Sequence, residues 1–387
     1  MGFQQGLSGL NASSKNLDVI GHNIANSGTV GFKASRTEFA DMVASAIGTS
    51  GGTNAGIGVQ VGAVAQQFTQ GNITVTGNNL DVAINGNGFF ILQPSNGSPH
   101  TYTRAGNFKL DDLGNLVTNS GEKLMGYPAG STTLAPIVFP TGAYIAPQKT
   151  GSVSAEFNLD ARATVGTMYG TSIQVFDDLG KPITVDFEFT NTGPNAWSAT
   201  AAVAGGAPIT LPPLSFDPSS GSITAGATGT LNIPSPPAST AFSTSVDFSR
   251  ATQYGAKFAV TDLTQTGYTA GSLTGINIGD DGRIMARYSN GVTRSEGSLA
   301  LANFRNTQGL APIGNNNWAA TIESGPAVPG QPGSGNLGAL RSGALEDSNV
   351  DLTAELVNMM TAQRAYQANA QTIKTQDQVM STLVNLR

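Results

Sequence analysis

The sequence predicts a mainly β protein with two β-rich modules, one nested within the other, bracketed by terminal α-helices that pair in a coiled-coil-like domain. Apolar residues recur at alternating steps of three and four at both ends of the chain, which is helical spacing. Between these ends lie about 300 glycine-rich residues in which the apolar period is two, as in strands. Residues that favour turns separate the strand-like runs.

The first element is a helix predicted from about Phe3 to Asn26 and ended by Ser27 and Gly28. Its seam, which also holds Ser14 and Gly21, contains the large apolar residues Phe3, Leu7, Leu10, Leu17 and Ile24. Fully burying these five would contribute roughly 8–15 kcal/mol. Ordering roughly 22 backbone residues costs about 1–2 kcal/mol each, only partly offset by helix hydrogen bonds. We therefore expect this helix to be marginal on its own.

The last element is a longer helix with the same spacing, predicted over 352–387. Its apolar seam residues are Leu352, Leu356, Met359, Tyr366, Ile373, Met380 and Val384. So narrow a seam must pack against other helices. The pattern does not distinguish a partner in the same chain from helices of further copies. We expect both ends to be loose in a single molecule and ordered in an assembly.

Residues 27–70, with a return segment at 340–351, are predicted to connect the helices to the β modules. Within the connector, the stretch 48–56 contains small and polar residues without a periodic pattern, which indicates flexibility. The terminal helical domain is accordingly assigned to 1–26 plus 352–387.

From residue 71 the sequence predicts strands at 73–76, 80–84 and 89–92. The clearest half-buried strand alternates Ile183, Val185, Phe187 and Phe189 with polar residues. Strand-like runs are separated by predicted tight turns, which combine Asp with Gly, at 111–115, 177–181 and 280–282. We assign 71–147 plus 281–339 to the first β module and 148–280 to a second, inserted module.

Composition excludes several classes of protein. The net charge of −6 and the low content of charged residues, 11%, argue against nucleic-acid binding, which needs a basic surface. No apolar run approaches the ~18 residues of a membrane span. The first residues also lack the pattern of a cleavable secretory signal. The absence of Cys excludes disulfides, thiolate metal sites and cysteine nucleophiles.

Candidate catalytic and metal-binding patterns are weak, and we expect no enzyme activity, cofactor or metal. The segment 48–52 matches G-x-S-x-G, but lacks the flanking strand and helix that would expose a nucleophile. His22 is placed on the polar side of the first helix, and His100 in a loop, neither next to a nucleophile in sequence. The Asp-Gly turns lack the alternating oxygen ligands of a helix–loop–helix calcium site.

The chain resembles the bacterial flagellar rod and hook protein family, and within it the hook subunits. The segments that carry the resemblance are 8–12, 17–27, 31–33, 86–90, 102–108, 345–351, 355–357 and 363–370. Family motif residues are Asn23, Ile24, Ala25, Asn26, Gly31, Phe32, Lys33, Arg364, Tyr366 and Asn369. The inserted module at 148–280 fits the hook subunits better than the shorter distal rod proteins.

The resemblance implies a structural subunit that polymerises into the flagellar hook, a curved tubular universal joint that transmits motor torque to the filament. The terminal helices would line the tube, the first β module would form its wall, and the inserted module its outer surface. Implied partners are further copies in a helical homopolymer, the distal rod, the hook cap, the hook–filament junction proteins and the flagellar type III export apparatus. The implied location is extracellular, after export without a cleaved signal peptide. A distal rod subunit and a secreted monomeric adhesin-like β protein remain alternatives.

Overall fold

The computed structural model describes residues 2–43, 56–139, 144–203, 206–234 and 240–385. These residues include two α-helices, α1 (Gly2–Ala25) and α2 (Leu352–Asn385), close to the predicted ranges. The strands between them are β1 (Ser35–Val43), β2 (Gly56–Gln66), β3 (Ile73–Val75), β4 (Val82–Asn85), β5 (Phe89–Gln93), β6 (Thr101–Thr103), β7 (Lys109–Leu110), β8 (Leu116–Val117), β9 (Lys123–Pro128), β10 (Ala135–Pro136), β11 (Ser152–Asp160), β12 (Met168–Phe176), β13 (Pro182–Gly193), β14 (Ala196–Val203), β15 (Ile209–Thr210), β16 (Leu214–Phe216), β17 (Ile223–Ala225), β18 (Thr228–Ile233), β19 (Phe242–Asp247), β20 (Thr252–Tyr254), β21 (Ala259–Gln265), β22 (Leu273–Ile278), β23 (Arg283–Tyr288), β24 (Thr293–Leu299), β25 (Leu301–Asn303), β26 (Ala311–Gly314), β27 (Asn317–Ala319), β28 (Val328–Gly330), β29 (Ala339–Ser342) and β30 (Ala344–Glu346), with a short 3₁₀ helix at Thr307–Gly309. The prediction of a mainly β chain with a helix at each end is confirmed.

The chain divides into two compact units, and the second interrupts the first in sequence. The first unit contains Met1–Thr141, Ile276–Ala286 and Arg294–Arg387, and the second contains Gly142–Gly275 and Arg287–Thr293. The second unit therefore starts before the predicted boundary at 148, ends before 280 and includes one further short segment. That segment joins it because Ser289 N donates to Ser272 O at 2.8 Å and the Asn290 amide donates to Thr269 O at 2.7 Å.

In the second unit, two sheets share one apolar core. One sheet has the order β18-β19-β11-β20, and the other has the order β12-β13-β14-β16-β17. The inward side chains of β13 are those predicted from its alternation, and the two phenylalanines among them pack with residues of β11. Phe157 and Phe189, for example, have ring centroids 4.5 Å apart. Burial of so many aromatic side chains gives this unit a core of its own.

In the first unit, strands β9, β5, β6, β27 and β26 are hydrogen-bonded neighbours in that order. Its core packs Phe89 of β5 against Trp318 of β27, with ring centroids 5.7 Å apart. Two further antiparallel pairs, β3–β30 and β4–β29, join strands from near the beginning and near the end of the chain. These pairs bring the segments that follow α1 and precede α2 into the same unit.

The predicted turns at 111–115 and 177–181 use one hydrogen-bond pattern. Asp111 Oδ1 accepts hydrogen bonds from the backbone N–H groups of residues 113 and 115, and Asp177 Oδ1 does the same for 179 and 181. Gly114 and Gly180 supply the positive φ that each turn requires, at 84° and 76°. These carboxylate oxygens thus close turns in the chain, which is the role that the sequence predicted for them.

A hairpin of β1 and β2 lies in the segment that the sequence assigned to a connector, and the sequence analysis did not anticipate it. The two strands pair antiparallel from Ser35–Gln66 to Val43–Gly56, with two register shifts. Residues 44–55, which include most of the predicted flexible stretch and the G-x-S-x-G match, lie outside the described residues.

Candidate subunit-interface helices

Helices α1 and α2 pack against each other in antiparallel orientation, since early residues of one contact late residues of the other. The contacts run from Gly6 beside Ile373 to Asn23, whose amide donates to Glu355 Oε1 at 3.3 Å. A methyl group added to Gly6 would lie 3.0 Å from Ile373 Cγ1. Added to Gly9, it would lie 2.9 Å from the carboxamide of Asn369. The helices therefore approach closely through small residues of α1.

The side of α2 that faces α1 is a narrow seam of mixed polarity. Its buried or half-buried positions are Glu355, Met359, Ala362, Asn369, Ala370, Ile373 and Gln376. Of the predicted interface residues, Met359 and Ile373 belong to this seam. The intramolecular contact thus shares only part of its positions with the apolar stripe that the sequence suggests.

Most of the predicted interface residues are incompletely covered within one chain. Exposed among them are Phe3, Leu7, Leu352, Leu356, Tyr366 and Met380. Half-buried among them are Leu10, Leu17 and Ile24 of α1. The side chain of Val384 lies outside the described residues.

Exposed apolar residues near the start of α2 form a surface that we call the outer apolar face. Leu352, Leu356 and Met360 follow one another at steps of four, and Val357 lies beside them. Val357 and Met360 were not predicted from the sequence, because neither fits the alternating stripe. They were detectable as further apolar residues next to Leu356.

The far end of α2 extends beyond α1. Because Gly6 lies beside Ile373, the first residue of α1 is level with about residue 377 of an antiparallel partner. The remaining turns of α2, which include the exposed Val379 and Met380, have no part of α1 beside them.

Helix α1 also packs on the β1–β2 hairpin. The amide of Gln5 donates to Gly56 O at 2.6 Å, and Ser8 Oγ accepts a hydrogen bond from Val59 N at 3.3 Å. A methyl group on Gly58 would collide with Ser8, so glycine is needed at this approach. One side of α1 thus lies on the hairpin while another lies on α2.

A buried charged cluster lies between the helices and the strands of the first unit. We call this cluster, formed by Lys33, Arg104 and Glu346, the anchor triad. Lys33 Nζ lies 2.5 Å from Glu346 Oε1, and Arg104 Nη1 lies 3.3 Å from Glu346 Oε2. Burial lowers the pKa of Lys33 and of Arg104, although the Glu346 carboxylate opposes that shift for both. The triad carries one more cation than anion.

Backbone groups complete the hydrogen bonding of the triad. Lys33 Nζ also donates to Thr69 O at 2.8 Å, Arg104 Nη1 donates to Gly86 O at 2.9 Å, and Glu346 Oε1 accepts from Gly71 N at 2.9 Å. Buried charges persist when they are paired and hydrogen-bonded in this way. The triad therefore fixes three distant chain segments relative to one another.

Three asparagines hydrogen-bond chain segments near the end of α1, and two of them, Asn23 and Asn26, belong to the family motif. The side chain of Asn23 donates to Ser35 O at 2.8 Å and accepts from Ser35 N at 2.9 Å, which holds the start of β1 against the helix. The amide of Asn26 donates to His22 O at 2.9 Å near the end of α1. Asn349, which sequence reasoning did not single out, accepts from Ala34 N at 2.7 Å and donates to Gln67 O at 2.7 Å.

The other motif residues have mixed placements. Gly31 has φ of 70°, and a methyl group there would lie 2.6 Å from Ala105 N, so both conformation and space require glycine. Phe32 is buried, with its ring centroid 5.5 Å from that of His22. Ile24 is half-buried, whereas Ala25 and Arg364 are exposed. The amide of Asn369 donates to Ser13 Oγ at 3.4 Å across the helix pair.

The described residues contain no group of three or more His, Asp or Glu side chains placed to bind a metal ion. His22 and His100 are both exposed. Neither α1 nor α2, over the residues described, has the length and apolar character needed to cross a membrane.

Three family models match the chain. "Flagella basal body rod protein" matches residues 3–33, "Flagellar basal body protein FlaE D2 domain" matches 146–268, and "Flagellar basal body rod FlgEFG protein C-terminal" matches 341–386. The first and last of these matches cover much of α1 and α2.

Similar proteins include the flagellar hook protein FlgE of Escherichia coli (strain K12), which is 44% identical over 415 residues and covers 100% of both chains. The flagellar hook protein FlgE of Salmonella typhimurium is 43% identical over 418 residues, also covering 100% of both. The crystal structure of Helicobacter pylori flagellar hook protein FlgE2 superposes with a TM-score of 0.59 at 14% identity, over 70% of this chain and 100% of that one. This last likeness supports the fold.

Proposed function

Since the chain belongs to the family of flagellar hook proteins, we propose that its paired terminal helices hold neighbouring copies together in the hook. The protein is a structural subunit that polymerises into the flagellar hook, the curved tube that transmits motor torque to the filament. Its role is therefore mechanical, and the contacts between copies determine how it works.

The observation that carries the proposal is the outer apolar face of α2. Leu352 and Leu356 are each 46% exposed although the helix that carries them packs closely against α1. Full burial of such a side chain contributes roughly 1.5–3 kcal/mol, so covering the exposed part contributes about 1 kcal/mol each. A helical polymer repeats this gain at every subunit, because each copy offers the same face to a neighbour.

The arrangement of the hook follows from the same proposal. The α1–α2 pair forms the inner layer of the tube, the β strands of the first unit form its wall, and the second unit forms its outer surface. The second unit has its own core, which permits it to hold its shape while contacts between copies change. We further propose that the subunit is extracellular, passes through the flagellar type III export apparatus and contacts the distal rod, the hook cap and the hook–filament junction proteins.

The experiment places a charge on the outer apolar face. We expect Leu356→Asp to fold as the wild type does but to form no tubes where the wild type polymerises, because the carboxylate opposes burial. Ala365→Asp is the matched control, since Ala365 is exposed on the opposite side of the same helix from Leu356 and the same charge is introduced. Sedimentation and electron microscopy measure polymer, and circular dichroism measures folding. Normal polymerisation of Leu356→Asp would refute the proposal.

Amide hydrogen exchange provides an independent test. We expect exchange over 2–25 and 352–385 to be fast in the unpolymerised subunit and to slow on polymerisation, while the core strands of both units stay protected throughout. A secreted monomeric adhesin-like protein, the alternative from the sequence, would show equal protection of the helices at every protein concentration.

A further inference from the structure

Methionine provides all the sulfur of this chain, since it has eight Met and no Cys. Among the described residues, three Met side chains are more than half exposed, namely Met168 at 61%, Met360 at 53% and Met380 at 58%. Met125, by contrast, is buried in the core of the first unit. A soluble oxidant therefore reaches some thioethers of the folded subunit and is excluded from others.

Two of the exposed methionines lie on apolar surface of α2. Met360 continues the step-of-four row of Leu352 and Leu356 on the outer apolar face. Met380 lies beside Val379 on the end of α2 that extends beyond α1. Met168 lies on β12 in the second unit, with no place on the helices. Met168 is therefore an exposed methionine away from the helices, and it serves as a control for Met360 and Met380.

We propose that oxidation of Met360 and Met380, two separate positions on α2, controls whether a subunit can polymerise. The inference rests on the proposed function, because it requires that neighbouring copies cover these side chains. The oxidant is a peroxide. The thioether sulfur attacks one peroxide oxygen, an S–O bond forms as the O–O bond breaks, and the other oxygen leaves as water after proton transfer. The sulfur is oxidised by two electrons to the sulfoxide, and the peroxide is reduced.

The sulfoxide opposes polymerisation because it places a polar group on surface that a neighbour must cover. A flexible apolar side chain becomes a polar one, and burial leaves its oxygen without water. We expect the critical concentration for polymerisation to rise about tenfold, which corresponds to about 1.4 kcal/mol per subunit. In assembled tubes both thioethers are covered, so oxidation there is slower than in free subunits.

The test treats free wild-type subunit with hydrogen peroxide, locates the added oxygen by peptide mass spectrometry and measures the critical concentration by sedimentation. Met360→Leu with Met380→Leu keeps the apolar volume, so this double variant should polymerise normally and no longer respond to peroxide. Met168→Leu should respond as the wild type does. Methionine sulfoxide reductase should restore polymerisation of oxidised wild type, and circular dichroism should show unchanged folding.

Two outcomes would overturn the inference: a double Leu variant as sensitive as wild type, or loss of the response in Met168→Leu. Unchanged polymerisation of subunits oxidised at Met360 and Met380 would also overturn it, while leaving the proposed function intact if Leu356→Asp still fails to polymerise. If Leu356→Asp polymerises normally, the proposed function itself fails. The two failures are therefore distinguishable.

Discussion

The anchor triad and the α1–α2 pair lie in the same unit but differ in how they meet solvent. In the triad, the side chains of Lys33, Arg104 and Glu346 are 0–4% exposed and are paired within the chain. On α2, Leu352 and Leu356 remain about half exposed. Buried charge must find its partners inside one molecule, whereas an apolar face can be completed by another molecule. The difference distinguishes the part of the subunit whose side chains are all paired within one chain from the part whose side chains a neighbouring copy covers.

The largest test removes the anion of the triad. Glu346→Gln leaves Lys33 and Arg104 buried without a carboxylate, so we expect the free energy of unfolding of the first unit to fall by about 3–5 kcal/mol. Trp318 fluorescence in a Trp197→Phe background follows urea unfolding of this unit, because Trp197 belongs to the second unit.

The matched control for that change is Glu38→Gln. Glu38 pairs with Arg36 at 2.9 Å, but both side chains are largely exposed. The expected loss is below about 1 kcal/mol, as for other surface ion pairs. Equal losses of unfolding free energy in the two variants would show that the buried triad stabilises the chain no more than a surface ion pair does. That result would contradict the distinction drawn between the triad and the helices.

A smaller effect is expected from two glycines of α1. Gly9→Ala places a methyl group 2.9 Å from the Asn369 carboxamide and should destabilise the helix pair by about 1–3 kcal/mol. Gly21→Ala meets nothing within 4 Å and should stabilise the helix by up to about 1 kcal/mol. Thermal loss of the helical circular dichroism signal measures both. Similar responses would mean that close approach does not limit the helix pair.

The smallest effect is the response of the β turns to acid. In the second unit, hydrogen bonds lower the pKa of three carboxyls: Asp160 accepts mainly from Arg162, Asp217 from Ser219 and Asp247 from Ser249. In the first unit, hydrogen bonds mainly from Asn115 lower the pKa of Asp111. Because the folded state favours the carboxylates, their contribution is present above the ordinary pKa of 3.8 and is lost as pH falls below it.

Among the described residues, three such carboxyls lie in the second unit and one in the first, so the second unit should lose more stability than the first as pH falls below about 4. Urea unfolding measured through Trp197 and Trp318 in single-Trp variants follows the two units separately. Asp217→Asn should reduce the pH dependence of the second unit and leave that of the first unchanged. A larger acid response in the first unit would contradict the assignment of these shifts.

Local patterns in the sequence predicted much of the fold. The alternation from Ile183 to Phe189 identified a half-buried strand, because side-chain period reports burial directly. The Asp-Gly turns were equally readable, since each is closed by its own residues. The β1–β2 hairpin was not predicted although Val59 and Val61 alternate with Gly58, Gln60 and Gly62 in β2, because this short pattern lies next to a stretch without periodicity.

The site was harder to predict because its contacts are not local. Lys33 and Glu346 are 313 residues apart, and no spacing rule links them. The helix seam was displaced from the predicted stripe because Gly6, Gly9 and Asn369 occupy it, and a search for large apolar side chains overlooks such residues. The same search found Leu352 and Leu356, which the helix pair leaves uncovered.

The separation of Lys33 from Glu346 also bears on how the chain acquires its shape during synthesis. A nascent chain that ends before residue 346 holds two cations with no anion to neutralise them, so the region around Lys33 cannot close over them. The anchor triad therefore cannot close until nearly the whole polypeptide has been made. Truncated products lack Glu346 and thus the anchor triad, so we expect them to assemble poorly.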